Sequence, residues 1–124
     1  MISAANNLNH PFHLHGYPLY VMGMGQLSDK RPMTIALAKR MTRTRSFKMA
    51  PTTYYAVKDT VSIPSKGYTI IRFRADNPGF WLMHCHFEWH MAVGMGLVLQ
   101  VGETSEMVKP PKNFPKCNSY TPDL

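Results

Sequence analysis

Six histidines, all inside two short clusters, constrain this chain more than any other feature of its sequence. His10, His13 and His15 belong to the run HPFHLHG, and His84, His86 and His90 to HCHFEWH, which also holds Cys85. A lone histidine is ordinarily a satisfied polar group of a core. Six gathered this way, with a cysteine between two of them, point to metal. Side chains alternate across a β-strand, so in His84-Cys85-His86 the two imidazoles project to one face and the thiol to the other. His13-Leu14-His15 likewise offers two imidazoles on one face. Laid side by side, the two His-x-His pairs bring four imidazoles to one patch. Cys85 is left behind its strand with its own candidate companions: His10, His90 five residues on, and Met95 five further. Two ligand-bearing strands that must lie together commit the chain to a sheet.

The remaining pattern agrees. Tyr17 to Met22 reads as a strand closed by Gly23 and Gly25, and Thr60 to Ile63 as another ended by Pro64. Gly67 turns the chain into Tyr68 to Arg74, where Ile71 and Phe73 share one face and Arg72 and Arg74 the other. Asp76-Asn77-Pro78-Gly79 is a turn, Phe80 to His86 a buried strand, and Leu97 to Val101 the last strand. Pro32 to Met41 is the one expected helix, with proline in its first turn. Trp81 and Trp89 read as packing, and Glu88 as facing solvent. Five strands with little helix predict an all-β sandwich over residues 1–102, followed by a proline-rich tail over 103–124. Such sandwiches have about seven strands, so one or two are expected to be missing ahead of His10.

Composition excludes several classes of function. Hydrophobic residues are 44% and charged residues 17% of the 124, as in a globular domain. No apolar run approaches the ~18 residues of a membrane span, and residues 1–10 do not read as a secretory signal. Gly23-Met24-Gly25 and Gly94-Met95-Gly96 lack the strand and helix context of a nucleotide loop. The net charge of +7 is concentrated locally: Lys39, Arg40, Arg43, Arg45 and Lys48 occur with no acid among them. That stretch reads first as a solvated face and second as a surface that docks something anionic. With only Phe47 among the cations, it lacks the stacking residues of a nucleic-acid module.

One thiolate, two imidazoles and a thioether make the donor set of a blue-copper electron-transfer site, with methionine as the weak axial ligand. Structural zinc sites favour closed spacings such as C-x₂-C, which are absent here, and haem and iron–sulfur motifs are absent too. The two histidine motifs, with KDTVSIP at residues 58–64 and IRFRADNPG at residues 71–79, resemble the carboxy-terminal cupredoxin (plastocyanin-like) domain of laccase-type multicopper oxidases, most like the arthropod branch.

The resemblance implies a cupredoxin-like Greek-key sandwich that binds copper. His10, Cys85 and His90, with Met95 axial, would hold a type 1 copper that oxidises a phenol or diphenol one electron at a time. His13 would bind a type 2 copper, and His15, His84 and His86 a type 3 pair. These would form half of a trinuclear cluster that reduces dioxygen to water, with Cys85 as the electron-transfer link. An amino-terminal cupredoxin domain would be the partner that supplies the other four histidines. The full-length enzyme would be extracellular, with no nucleic-acid partner and no membrane span, and this chain alone would be inactive. Cys117 would then bridge elsewhere or remain free. A free-standing blue-copper carrier, using only the Cys85 side of the strand, is the alternative. A zinc-binding or purely structural β-domain is the third reading.

Overall fold

The computed structural model describes residues 2–3, 8–27, 34–50 and 54–115. Within them the backbone forms β1 (Ile2–Ser3), β2 (His10–Leu14), β3 (Leu19–Gln26), α1 (Ile35–Thr44), β4 (Val57–Lys58), β5 (Thr60–Ile63), β6 (Gly67–Arg72), β7 (Gly79–Cys85), α2 (Glu88–Ala92) and β8 (Gly96–Val101). The strands make two antiparallel four-stranded sheets, ordered β1-β6-β3-β4 and β5-β2-β7-β8. Apolar residues alternating along these strands meet between the sheets. Leu14, Tyr17, Leu19, Val61 and Met83 form the buried cluster, joined by Val21, Ile71, Phe73, Trp81 and Leu99.

The expected faces of β6 are observed: Ile71 and Phe73 pack inward, while Arg72 and Arg74 are exposed. Tyr68 and Ile70, one residue out of phase, face outward and carry α1 on Met41, Leu37 and Ala38. The molecule is therefore layered as helix, sheet, sheet, with α1 covering the outer face of the first sheet.

Several expected boundaries are corrected. The strand expected at Tyr17 to Met22 starts at Leu19 and runs through both glycines to Gln26. Close approach explains them: a Cβ on Gly23 would collide with the Lys48 carbonyl, and one on Gly25 would stand 2.7 Å from the Tyr68 hydroxyl. The ladder skips Met22, placing a bulge beside them. The helix lies three residues later than expected, because Thr34 caps it by accepting the Leu37 N–H at 3.1 Å. Pro32 lies outside the described residues. The helix ends at Arg45, in the left-handed region at φ 52°, where its N–H reaches the Met41 and Thr42 carbonyls. Strand β6 starts at Gly67 and ends at Arg72. The strand expected to be buried from Phe80 to His86 is β7, and its Phe80 and the residue after it, His86, are exposed. Ahead of His10, β1 pairs with β6. Residues 103–115 contain no helix or strand, and Cys117 lies outside the described residues.

Candidate metal centre

The two histidine motifs meet because β2 and β7 are neighbours, in a register that sets His13 opposite His84 and Phe12 opposite Cys85. Leu14 and Met83 point into the core, so His13 and His84 point out of the sheet on its other face. Backbone bonds extend the frame past the strand ends. His15 N–H donates to the Leu82 carbonyl at 3.0 Å, and His86 N–H to the Pro11 carbonyl at 2.6 Å. Both outlying imidazoles are thereby held beside the pair.

The four rings gather as expected. Ring centroids lie 4.9 Å apart for His13–His15, 5.2 Å for His15–His84, 5.4 Å for His84–His86 and 5.9 Å for His13–His86. Two of the rings have their tautomer set by carbonyl oxygens, which can only accept. His13 donates from Nδ1 to the Asp59 carbonyl at 2.8 Å, and His84 donates from Nδ1 to the Cys85 carbonyl at 3.1 Å. Each then keeps a lone pair on Nε2, the atom available to a metal. His84 Nε2 stands 3.2 Å from His15 Nε2. His15 is held below the ordinary histidine range by desolvation, reinforced by His13, His84 and His86. It is thus neutral near pH 7.

A loop corner anchors His15. Gly16 has φ 75°, and a Cβ there would meet the Trp81 ring. Trp81 donates Nε1–H to the Asn77 carbonyl at 2.8 Å, and Tyr17 donates its hydroxyl to the same oxygen. The turn expected at residues 76–79 is thereby tied to the His15 loop.

Behind β7, Cys85 is fully buried. Its Sγ lies 3.7 Å from His10 Nδ1 and 3.6 Å from His90 Nδ1, and the three ligand atoms fall within 4.8 Å of one another. Metal–sulfur and metal–nitrogen bonds of ~2.3 and ~2.0 Å at a trigonal angle separate sulfur from nitrogen by roughly 3.8 Å. The observed spacing fits an ion between them. His10 is 2% exposed, and burial, followed by the neighbouring His90, lowers its pKa. An uncharged imidazole is the form a metal requires.

His90 reaches this pocket on α2, a short helix that the strand reading missed. Glu88 in its first turn and Gly94 at φ 97° just beyond its end were the available signals. Met95 is half-buried, and its backbone closes the loop: its N–H donates to the His90 carbonyl at 2.9 Å, and its carbonyl accepts the Cys85 N–H at 3.0 Å. Trp81 packs on the core as expected, whereas Trp89 is 70% exposed, because α2 turns its ring to solvent. Glu88 is exposed.

A buried thiol with two imidazoles on one side of the sheet, and four imidazoles on the other, is a donor arrangement that fits copper. The family profile described as "Multicopper oxidase" matches residues 1–105, and the chain belongs to that family. It is 41% identical over 119 residues to Laccase-21 of Oryza sativa subsp. japonica, covering 88% of this chain and 17% of that one. Two solved structures share its cupredoxin-like, Greek-key sandwich. Fet3p, a multicopper oxidase that functions in iron import, aligns with TM-score 0.63 and 32% identity over 79% of this chain and 18% of that one. The laccase from Botrytis aclada aligns with TM-score 0.61 and 28% identity over 85% and 17%. The chain therefore spans less than a fifth of the length of these relatives. They are plant and fungal laccases and an iron-import oxidase, so the expected arthropod affinity gains no support. The family implies copper. Among the described residues no helix is long and apolar enough to cross a membrane.

Proposed function

We propose that this chain is the carboxy-terminal part of a laccase-type enzyme that oxidises phenols or diphenols and reduces dioxygen to water. The observation that carries the reading is the back-to-back arrangement on β7: Cys85 with His10 and His90 inside, His84 with His13, His15 and His86 outside. His10, Cys85 and His90 would hold the type 1 copper, with Met95 as the axial ligand. His13 would serve the type 2 copper, and His15, His84 and His86 the type 3 pair. Copper bound at these positions supplies reversible one-electron chemistry. The residues supply the rest. Burial keeps Cys85 away from water, and the Met95 carbonyl and His90 loop hold it in place. Cys85 is peptide-bonded to both His84 and His86, so a covalent path of one residue joins the two sides.

Four imidazoles on an open face ask for a partner. The outer face of the second sheet also exposes Phe80 and Val98, at 60% and 61%. An amino-terminal cupredoxin domain carrying four more histidines would cover that surface and complete the cluster, in an enzyme acting outside the cell. Copper reconstitution tests the reading. The refolded chain is expected to show the intense visible absorption of a copper–thiolate bond, yet consume no oxygen with a phenol. The longer protein containing it should do both. Oxygen uptake by this chain alone, dependent on His13 and His84, would overturn the proposal.

A further inference from the structure

The chain's charge is divided far more sharply than its net value of +7 suggests. Between Lys30 and Lys58 lie eight of the 14 basic residues and none of the seven acids. The other six bases face all seven acids, so the remainder is nearly neutral. This segment includes α1, on the side of the sandwich away from the histidines. The helix buries Met41 and half-buries Leu37 and Ala38 against Tyr68 and Ile70. At 100° per residue, Lys39 and Arg43 then fall on the opposite side and Arg40 on its flank, and all three are exposed. Arg45 and Lys48 follow beyond the cap, and the Lys48 N–H donates to the Tyr68 hydroxyl at 2.8 Å. Among the described residues, none of the five meets a carboxylate. A helix dipole accounts for cations in the last turn, such as Arg43, but not for Lys39 and Arg40 in mid-helix.

We infer that this face of α1 binds a linear acidic polysaccharide. The chemistry of the surface selects among anionic partners. The helix spends its apolar stripe on the sheet, leaving nothing to insert into a bilayer. Phe47, the one aromatic among the cations, packs against the same core, so no stacking platform is offered to single-stranded nucleic acid. Protein partners are anchored by apolar hot spots, and the exposed side of the helix has only Ile35 to offer. What remains is a rigid row of cations, with Lys39 and Arg43 about 6 Å apart along the axis. Guanidinium forks pair with carboxylates in two-point geometry, and a polymer that repeats its charge engages several at once.

The test uses the full protein carrying this chain, with alginate as probe and neutral dextran as control. Alginate should bind at low salt, with affinity falling steeply as salt rises, and dextran should not bind. R40Q/R43Q should weaken binding roughly tenfold or more and flatten the salt dependence, since each cation removed releases fewer counterions. Circular dichroism should show both variants folded. K109Q/K112Q removes the same charge from the exposed tail and should leave affinity unchanged. A36K adds a cation to the same exposed face and should tighten binding. Failure to bind alginate, or equal losses in R40Q/R43Q and K109Q/K112Q, would overturn the inference. So would tighter arginine-dependent binding of anionic vesicles or duplex DNA, which would give the face to that partner instead. None of these outcomes bears on the copper reading.

Discussion

The two sides of β7 gather imidazoles under opposite conditions. On the inner side, Cys85 and His10 are almost wholly removed from solvent and His90 is half-buried. The pocket closes with groups of this chain alone. On the outer side, His84 is buried but His15 and His86 are exposed and His13 is half-buried. One side is an enclosed pocket, and the other is a surface. The difference shows that one β-strand can present side chains to two unlike environments, because alternation separates them while the peptide chain keeps them one residue apart.

The sharpest way to break this comparison is Cys85→Ser in the copper-loaded chain. It should abolish the visible copper–thiolate absorption entirely, whereas His13→Ala should leave the spectrum nearly unchanged. Equal loss in both variants would mean that the sides are not independent. Next in size, His90→Ala should weaken copper retention at the inner pocket by more than roughly 100-fold, read by competition with a chelator, since even outer-shell changes cost 10–100-fold. His15→Ala should leave that retention within error.

Gly16→Ala tests the frame rather than the ligands. A Cβ at φ 75° pressed into Trp81 should cost about 1–3 kcal/mol in denaturant unfolding. It should also shift the nuclear magnetic resonance signals of His15 while sparing those of His10. The smallest effect is expected at Thr34→Ala, which removes the α1 cap at about 1 kcal/mol and should change neither metal side.

The site was more legible in the sequence than the frame that holds it. Alternation alone separated Cys85 from His84 and His86, and β2 and β7 do pair through His13 and His84. What alternation does not encode is a change of period. The step from β7 into α2 passes through Phe87, which offers no side-chain cap, so only Glu88 and Gly94 marked the helix. The β3 glycines misled for a related reason. They read as punctuation, yet each makes room for an atom more than twenty residues away, the Lys48 carbonyl or the Tyr68 hydroxyl. Trp89 reads as packing in the sequence but is exposed in the fold, because a five-residue helix has too little inner surface to bury a tryptophan together with His90.

The hydrogen bond that fixes the His13 ring ends on a peptide carbonyl, not on the Asp59 side chain. Every amino acid at position 59 would bring the same oxygen to the same place, as long as the backbone keeps its path. A saturation scan should therefore find residue 59 permissive and residue 13 intolerant, although the two are hydrogen-bonded partners. The direction in which this imidazole offers its free nitrogen is inherited through the shape of the chain, and point mutation has little hold on it.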